Sequence, residues 1–192
     1  MATPQPLESQ GQGRFLSSQR SLNSVGLLPY AKVGDFWTVS DEIVLKFARQ
    51  AVEEGTFDRV FLDGSISGPD AFLYAMKQPE NVPVFFFVGK EPVGVACLTN
   101  CQGNRAFGHF LYLKSAWGKF TEQAGRLALD YWFSFKVESR QLFNVILGVI
   151  PSENVRAVDY VQRIGMTMLG EVPKMVQSGS ALKSATVVYI SR

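Results

Sequence analysis

The sequence from residue 81 to residue 113 reads NVPVFFFVGKEPVGVACLTNCQGNRAFGHFLYL. It contains three apolar runs, at 81–88, 93–99 and 106–113, which are rich in β-branched or aromatic residues. Turn-forming residues separate them, GKEP before the second run and QGN before the third. Short apolar runs bounded by such turns predict an antiparallel three-stranded meander. The first run is apolar on both parities, which is typical of a strand covered on both faces.

Further elements are predicted on the C-terminal side of this meander. Between residues 121 and 135, apolar residues recur at intervals of three and four, which predicts an amphipathic helix. A continuous apolar run at 144–150 predicts a strand, and a helix is predicted at 155–164 with Gly165 as its C-cap. Two final strands are predicted at 166–175 and 185–190, with a Gly-Ser turn between them.

Two helices are predicted before the meander. Ser40 and Asp41 open a segment with the apolar spacing of one helix face, and Gly55 ends it. A turn-rich stretch follows, and Pro69 suits the first turn of a short helix that runs to Lys77. The glycines of the turn-rich stretch match no phosphate-binding motif, so we interpret it as a loop near a substrate entrance.

The N-terminal 26 residues have a different composition from the rest of the chain. They are rich in Gln, Ser and Gly, and their isolated apolar residues fit neither the helical nor the strand period. We predict a flexible tail at 1–26, with an arm that orders on a partner as the alternative. A single folded domain is predicted at 27–192, and it begins with a short strand segment broken at Gly34.

Charge and hydropathy exclude several classes of partner. The chain has 192 residues, 46% of them hydrophobic, and a formal net charge of +2. Its lysines and arginines are spread out, so no nucleic-acid binding is expected. The longest apolar run falls well short of the roughly 20 residues of a membrane helix, so no membrane partner is expected. The first residues lack the pattern of a secretory signal, which favours a cytoplasmic location.

Two cysteines, Cys97 and Cys101, lie four positions apart. A zinc site needs four ligands, and His109 is the only histidine in the chain, so no metal site is expected. A disulfide would require an oxidising compartment. We therefore predict two reduced, half-buried thiols.

The order of elements and one motif resemble a known superfamily. The motif is Asn154-Val-Arg-Ala157 followed by Gly165-Met166, which is similar to the NxxA…GF pattern of the GCN5-related N-acetyltransferases, the GNAT superfamily. The resemblance extends from about Gly34 to the C-terminus. It implies an α/β fold with a mixed, mostly antiparallel central sheet flanked by about four helices. It also implies an enzyme that transfers an acetyl group from acetyl-CoA to an amine.

The resemblance implies where acetyl-CoA would bind. In GNAT enzymes the pantetheine arm enters a gap between two splayed strands and pairs with free backbone groups, much like an added strand. By this resemblance the main chains of Leu111, Tyr112 and Leu113 would face the cofactor. Ile150 and Pro151 would line the opposite wall, and the motif residue Asn154 is assigned to the same site.

The pyrophosphate loop departs from the family pattern. GNAT enzymes usually have Q/R-x-x-G-x-G/A at the start of a helix, where consecutive N–H groups receive the phosphates. Here Phe120 occupies the Gln/Arg position and Gln123 the first glycine position, and Glu122 would repel phosphate. The residues assigned to this bend are Gly118, Lys119, Gln123, Ala124, Gly125 and Arg126. Lys119 and Arg126 would offset the acidic charge, or alternatively are ordinary surface residues.

Two residues are candidates for acid–base catalysis. The family acid is a tyrosine seven residues after the motif asparagine, which here is Val161, while Tyr160 lies one position earlier. His109 shares its strand parity with Leu111 and is the candidate base, because an imidazole suits proton removal near neutral pH. The alternative for both residues is ordinary core packing.

A non-catalytic role is the alternative to the enzyme. A protein that kept the fold but lost the cofactor cradle would serve as a binding or phage assembly component, since fold does not dictate function. Exposed aromatic residues, with Phe72, Tyr74 and Phe110 as candidates, would then suit a partner surface; core and sheet packing is the simpler alternative for these rings. The sequence fixes neither the acceptor amine nor the oligomeric state, and a homodimer is compatible with it.

Overall fold

A computed structural model describes residues 24–61, 64–118 and 120–192. The helices are α1 (Asp41–Glu53), α2 (Pro69–Met76), α3 (Thr121–Phe133) and α4 (Val155–Arg163). Single-turn 3-10 helices lie at Phe57–Arg59 and Lys114–Ala116. The strands are β1 (Val25–Pro29), β2 (Lys32–Val33), β3 (Phe36–Trp37), β4 (Val82–Val88), β5 (Glu91–Gln102), β6 (Arg105–Tyr112), β7 (Lys136–Val137), β8 (Arg140–Gln141), β9 (Val145–Pro151), β10 (Thr167–Ser178) and β11 (Ala181–Ser191).

The main sheet has seven strands in the order β1-β4-β5-β6-β9-β11-β10. Every neighbouring pair is antiparallel except β6 and β9, which are parallel. The predicted meander is confirmed as β4-β5-β6. The predicted fold class, a mostly antiparallel mixed sheet with flanking helices, is also confirmed.

Helices cover both faces of this sheet, which explains why β4 is apolar on both parities. Phe86 packs in the cluster that includes Trp132 of α3, whereas Phe85 packs in the cluster that includes Phe47 of α1. The α3 and α4 cluster lies on one face, and the α1 and α2 cluster lies on the other. Successive side chains of a strand point to opposite faces, so a central strand must carry apolar residues in both sets.

The parallel pair β6 and β9 separates shortly after it begins. Register is formed at three positions, from Arg105 opposite Val145 to Phe107 opposite Leu147. Neither strand ends there, because β6 runs on to Tyr112 and β9 to Pro151. The two strands therefore enclose a wedge that begins at Gly108 and Gly148.

Several predicted boundaries differ from the structure, among them β5, β10 and β11, which are longer than predicted, and two differences change an assignment. β1 begins at Val25, so Val25 and Gly26 belong to a sheet strand rather than to the predicted tail; residues 1–23 of that tail lie outside the described residues. The helix predicted to Phe135 ends at Phe133 and is followed by the β7–β8 hairpin. Both turn residues of this hairpin, Glu138 and Ser139, have positive φ. Such turns usually contain Asn or Gly, so the sequence carried no signal for this one.

Of the three aromatic residues considered for a partner surface, two follow the alternative of core packing. Phe72 is fully buried, and Phe110 is half-buried against the α3 and α4 cluster; Tyr74 alone of the three is exposed. The rings of Phe72 and Phe110 pack in the hydrophobic clusters on the two faces of the sheet. In the described residues, no helix combines the length and hydropathy that crossing a membrane requires.

The two thiols are free but are not half-buried. Cys97 is buried and Cys101 is exposed. Burial raises the pKa of the Cys97 thiol to about 12, so it stays protonated at neutral pH and is a poor nucleophile. Within the described ranges, no group of three or more His, Cys, Asp or Glu residues could hold a metal ion.

Candidate active site

The wedge between β6 and β9 is part of a passage that crosses the sheet. On the α4 side it opens into a cavity of about 510 Å³, which we call the α4-side cavity. On the α2 side it opens into a cavity of about 630 Å³, the α2-side cavity. A throat of about 140 Å³ lies between them and is lined by Gly108 and Gly148. Tyr160 lines both the throat and the α4-side cavity, and His109 lines both the throat and the α2-side cavity.

Hydrogen bonds just beyond the two ends of β6 show which of its backbone groups face the wedge. The carbonyl of Asn104 accepts from Asn144 N, on the β9 side, at 2.7 Å. The N–H of Leu113 donates to the Val93 carbonyl, on the β5 side, at 3.0 Å. Backbone groups alternate in direction along a strand, so even-numbered residues face the wedge and odd-numbered ones face β5.

This alternation corrects the assignment of backbone groups to the cofactor. Of Leu111, Tyr112 and Leu113, only Tyr112 directs its N–H and C=O into the wedge, together with Phe110 and Gly108. Leu111 contributes its side chain instead, which lines both large cavities. Leu113 is buried in the α1 and α2 cluster, and its N–H is already bonded to β5.

The bend between β6 and α3 lines the α4-side cavity through Trp117, Gly118 and Thr121. Phe120 packs instead against the α3 and α4 cluster, and Gln123 is exposed. Neither side chain fills the bend. Gly118 has a φ of +86° and no atom within 4 Å of the position a Cβ would take. Among the described residues, the space beside Gly118 is therefore open; Lys119 lies outside them.

The N–H groups that helical bonding leaves available at this bend differ from those that the sequence assigned to phosphate binding. Ala124 donates its N–H to the Phe120 carbonyl at 2.9 Å, so helical bonding begins there. Ala124 is also buried, and Gly125 follows it within the helix. The N–H groups without an intrahelical acceptor are the first three of α3, at Thr121, Glu122 and Gln123. Their positions at the helix start suit an anion.

Gly125 serves the packing of α3 against α4. A Cβ at this position would lie 2.2 Å from the hydroxyl of Tyr160 and 2.9 Å from Cγ2 of Ile164. Only a glycine lets the two helices approach this closely. Its match to the small residue of the family loop thus has a structural cause, the space needed by the Tyr160 side chain.

Three arginines that the sequence did not single out line the α4-side cavity, Arg59, Arg156 and Arg163. Arg59 ends the 3-10 helix after α1, and Arg156 and Arg163 lie at the two ends of α4, so no local run of charge indicated them in the sequence. Arg156 lies over the Trp117 ring, 5.7 Å from its centroid. Arg163 pairs with Glu122 at 2.7 Å, which offsets the acidic charge at the start of α3.

Arg126 does not have the role assigned to it. It donates to the backbone carbonyl of Arg163 and is absent from the described lining of the α4-side cavity. A cation at the C-terminus of a helix satisfies a carbonyl that lacks an intrahelical donor. Arg126 therefore holds the end of α4 against α3.

Asn154 begins α4 at the edge of the wedge. Its side chain accepts a hydrogen bond from the N–H of Ala157 at 3.4 Å, as an N-cap does. Asn154 and Ala157 both line the α4-side cavity and the throat. The motif thus fixes the position at which α4 starts and brings its first turn to the passage.

Tyr160 lies within the passage although it is one position from the family tyrosine. Its hydroxyl is 2.8 Å from the hydroxyl of Tyr112, and both rings are buried. Burial raises the pKa of both phenols above the ordinary value, so both remain protonated at neutral pH. Val161 also lines the throat, so this turn of α4 presents two consecutive residues to the wedge.

His109 is exposed rather than packed in the core, which removes the alternative considered for it. Its Nε2 lies 2.9 Å from Oγ1 of Thr99 on the neighbouring strand. It is placed where the throat meets the α2-side cavity. An imidazole at this point could exchange a proton with a group that enters from the α2 side.

Comparison with solved structures identifies proteins of the same fold. The chain is similar to a spermidine N-acetyltransferase from Vibrio cholerae in complex with CoA and spermine, with a TM-score of 0.65 and 15% identity over 88% of this chain and 95% of that chain. A mutant of that enzyme gives a TM-score of 0.64 and 14% identity over 88% and 94%. A chimera of the Vibrio cholerae enzyme and hSSAT gives 0.61 and 16% over 88% and 96%.

At this level of identity the likeness establishes the fold. The chain has the GNAT fold of these N-acetyltransferases, as its sequence motif implied. No family model matches the sequence, and no curated protein matches it.

Proposed function

We propose that this protein transfers an acetyl group from acetyl-CoA to an amine. The observation that carries the proposal is the open wedge between β6 and β9, which connects a cavity lined by arginines to a second cavity on the opposite face. The structural neighbours with this fold are N-acetyltransferases, and one of them is titled as a complex with CoA and spermine. Acetyl-CoA would supply the activated acetyl group as a thioester.

The residues present fit the parts of acetyl-CoA. Arg59 and Arg156, with the first N–H groups of α3, would hold the phosphates in the α4-side cavity. The wedge-facing backbone groups of Phe110 and Tyr112 would pair with the amides of the pantetheine arm. The thioester end would reach the throat, where Tyr160 and His109 line opposite ends.

The chemistry needs two proton movements. The amine attacks the thioester carbon, so a C–N bond forms and the C–S bond breaks; the amine loses a proton and the departing sulfur gains one. His109 would accept the amine's proton on the α2 side. Tyr160, protonated and buried, would donate to the sulfur, and holding both reactants at the throat removes the entropy cost of their encounter.

Titration calorimetry with acetyl-CoA and with CoA tests the proposal directly. We expect micromolar binding, about −8 kcal/mol. Ala157→Phe should weaken binding at least about tenfold, or about 1.4 kcal/mol, because residue 157 lines both the α4-side cavity and the throat. Val155→Phe is the matched control, since Val155 lies on the same helix turn and is 62% exposed.

A wild-type protein that takes up neither ligand, in heat or in thermal shift at millimolar concentration, would contradict the proposal. It would favour the binding or assembly role. Equal weakening by Ala157→Phe and Val155→Phe would show that the passage is not where the ligand lies.

His109→Gln is expected to lower kcat/KM about 10²-fold, at the lower end of the range for acid–base catalysis. The loss is limited because His109 is exposed and water can accept the proton in its place. Thr99→Val is the control, because it removes the hydrogen-bond partner and keeps the imidazole.

We expect Thr99→Val to retain most of the activity. If His109→Gln turns over substrate at the wild-type rate, His109 has no part in the proton transfer.

A further inference from the structure

The two ends of the passage differ sharply in charge. The α4-side cavity is lined by Arg59, Arg156, Arg163 and Asp159. Among the described residues that line the α2-side cavity, none is Asp, Glu, Lys or Arg. The passage thus leads from a charged end to an uncharged one, and only the first end suits phosphates.

The walls of the α2-side cavity are largely apolar. Phe72, Val95 and Leu111 form its buried floor, and Ile66 and Val176 line it from the loop before α2 and from β10. The uncharged polar residues Asn81 and Gln177 also line it. Its volume of about 630 Å³ lies within the range of small-molecule sites.

A polyamine is a poor match to these walls. Spermidine carries several amino groups, each an ammonium ion at neutral pH, and one of them must become neutral to attack. The others would enter a cavity whose described lining offers no carboxylate. Removing water from an ammonium ion without a counter-charge is unfavourable, so we expect such a substrate to bind less well than an amine with an uncharged body.

We infer that the acceptor is a primary amine carried by an uncharged, apolar body, bound in the α2-side cavity with its amino group at His109. This inference rests on the proposed function for the direction of the reaction. Burial of the apolar body against Phe72 and Leu111 supplies affinity, because it removes apolar surface from water. The amine nitrogen then lies beside His109, where the throat opens.

The reaction balances with these groups alone. The neutral amine nitrogen bonds to the acetyl carbon, the carbon–sulfur bond breaks, and the products are an N-acetyl amide and the free thiol of CoA. One proton leaves the nitrogen and one reaches the sulfur. No oxidant, reductant or metal is required.

The substrate class is tested with 2-phenylethylamine and spermidine as competing acceptors of acetyl-CoA, with release of the CoA thiol as the readout. We expect kcat/KM to be at least tenfold higher for 2-phenylethylamine. Val176→Asp should reduce the ratio of the two kcat/KM values about tenfold, because it places a carboxylate in the wall of the α2-side cavity. Val176→Asn is the matched control, similar in size and uncharged, and Val176 is half-buried, so both variants should fold.

A binding measurement separates this inference from the proposed function. Calorimetry with the two product amides needs no turnover; N-acetyl-2-phenylethylamine should bind and N-acetylspermidine should not. If N-acetyl-2-phenylethylamine binds but acetyl-CoA does not, the α2-side cavity is an apolar binding site and the proposed acetyl transfer is wrong. The inference is overturned if spermidine is acetylated as efficiently as 2-phenylethylamine, or if N-acetylspermidine binds as tightly as the aromatic amide.

Discussion

Replacing Tyr160 with phenylalanine is expected to lower kcat about 10³-fold, within the range for a lost general acid. The effect exceeds that of His109→Gln because Tyr160 is 8% exposed, so water cannot readily replace its proton. Burial raises its pKa, which keeps the phenol protonated across the neutral range. Steady-state kinetics with the thiol readout measures kcat and KM separately; KM for acetyl-CoA should change little, because the ring remains in place.

Tyr112→Phe is the matched control for this prediction. It removes the other hydroxyl of the same 2.8 Å hydrogen bond and leaves the Tyr160 hydroxyl present. Each substitution leaves one buried hydroxyl without this partner, a cost of about 1–3 kcal/mol in stability. If only Tyr160→Phe loses kcat, the phenol acts in catalysis. Equal losses from the two variants would mean that the pair has a structural role.

Gly125→Ala is expected to destabilise the fold by about 3 kcal/mol, which combines overpacking of about 1–3 kcal/mol with damage to a buried hydrogen bond. The new methyl group would lie 2.2 Å from the Tyr160 hydroxyl and 2.9 Å from Ile164. The gain of about 1 kcal/mol that alanine brings to a helix interior is too small to offset this. For a chain of this size we expect Tm to fall by about 6–12 °C in thermal unfolding.

A double-mutant cycle identifies the contact responsible. Tyr160→Phe removes the hydroxyl that the new methyl group meets, so Gly125→Ala should cost at least about 1 kcal/mol less in that background. Gln123→Ala, at an exposed position of the same helix, should leave Tm within a degree or two of the wild type. Additive costs in the cycle would show that α3 and α4 move apart rather than pack around Tyr160.

Local patterns were sufficient to predict most of the elements. The meander followed from three apolar runs and two turns, and α1 followed from its apolar spacing after Ser40, whose side chain caps the helix as expected. These features depend on residues a few positions apart, so the sequence displays them directly. The β7–β8 hairpin was missed for the same reason, because its turn has none of the usual residues.

Burial could be predicted less well than secondary structure. Phe72 and His109 illustrate the limit: for each residue the sequence left both core packing and an accessible position open, and the structure buries Phe72 fully and exposes His109. Parity along a strand predicts which face a side chain takes, as it did for His109 and Leu111. It does not predict whether the neighbouring strand is close enough to cover that side chain.

The amino-acid order alone determined the four helices and the long strands of the main sheet, since each arises from contacts within a short segment. Tertiary structure alone decided the wedge, because β6 and β9 pair at a sequence separation of 40 residues and then part. It also decided which backbone groups face that wedge, and it brought Arg59 to Arg156 and Tyr160 to Gly125. Those contacts join distant segments, and their geometry follows from how the helices pack on the twisted sheet rather than from any local run of residues.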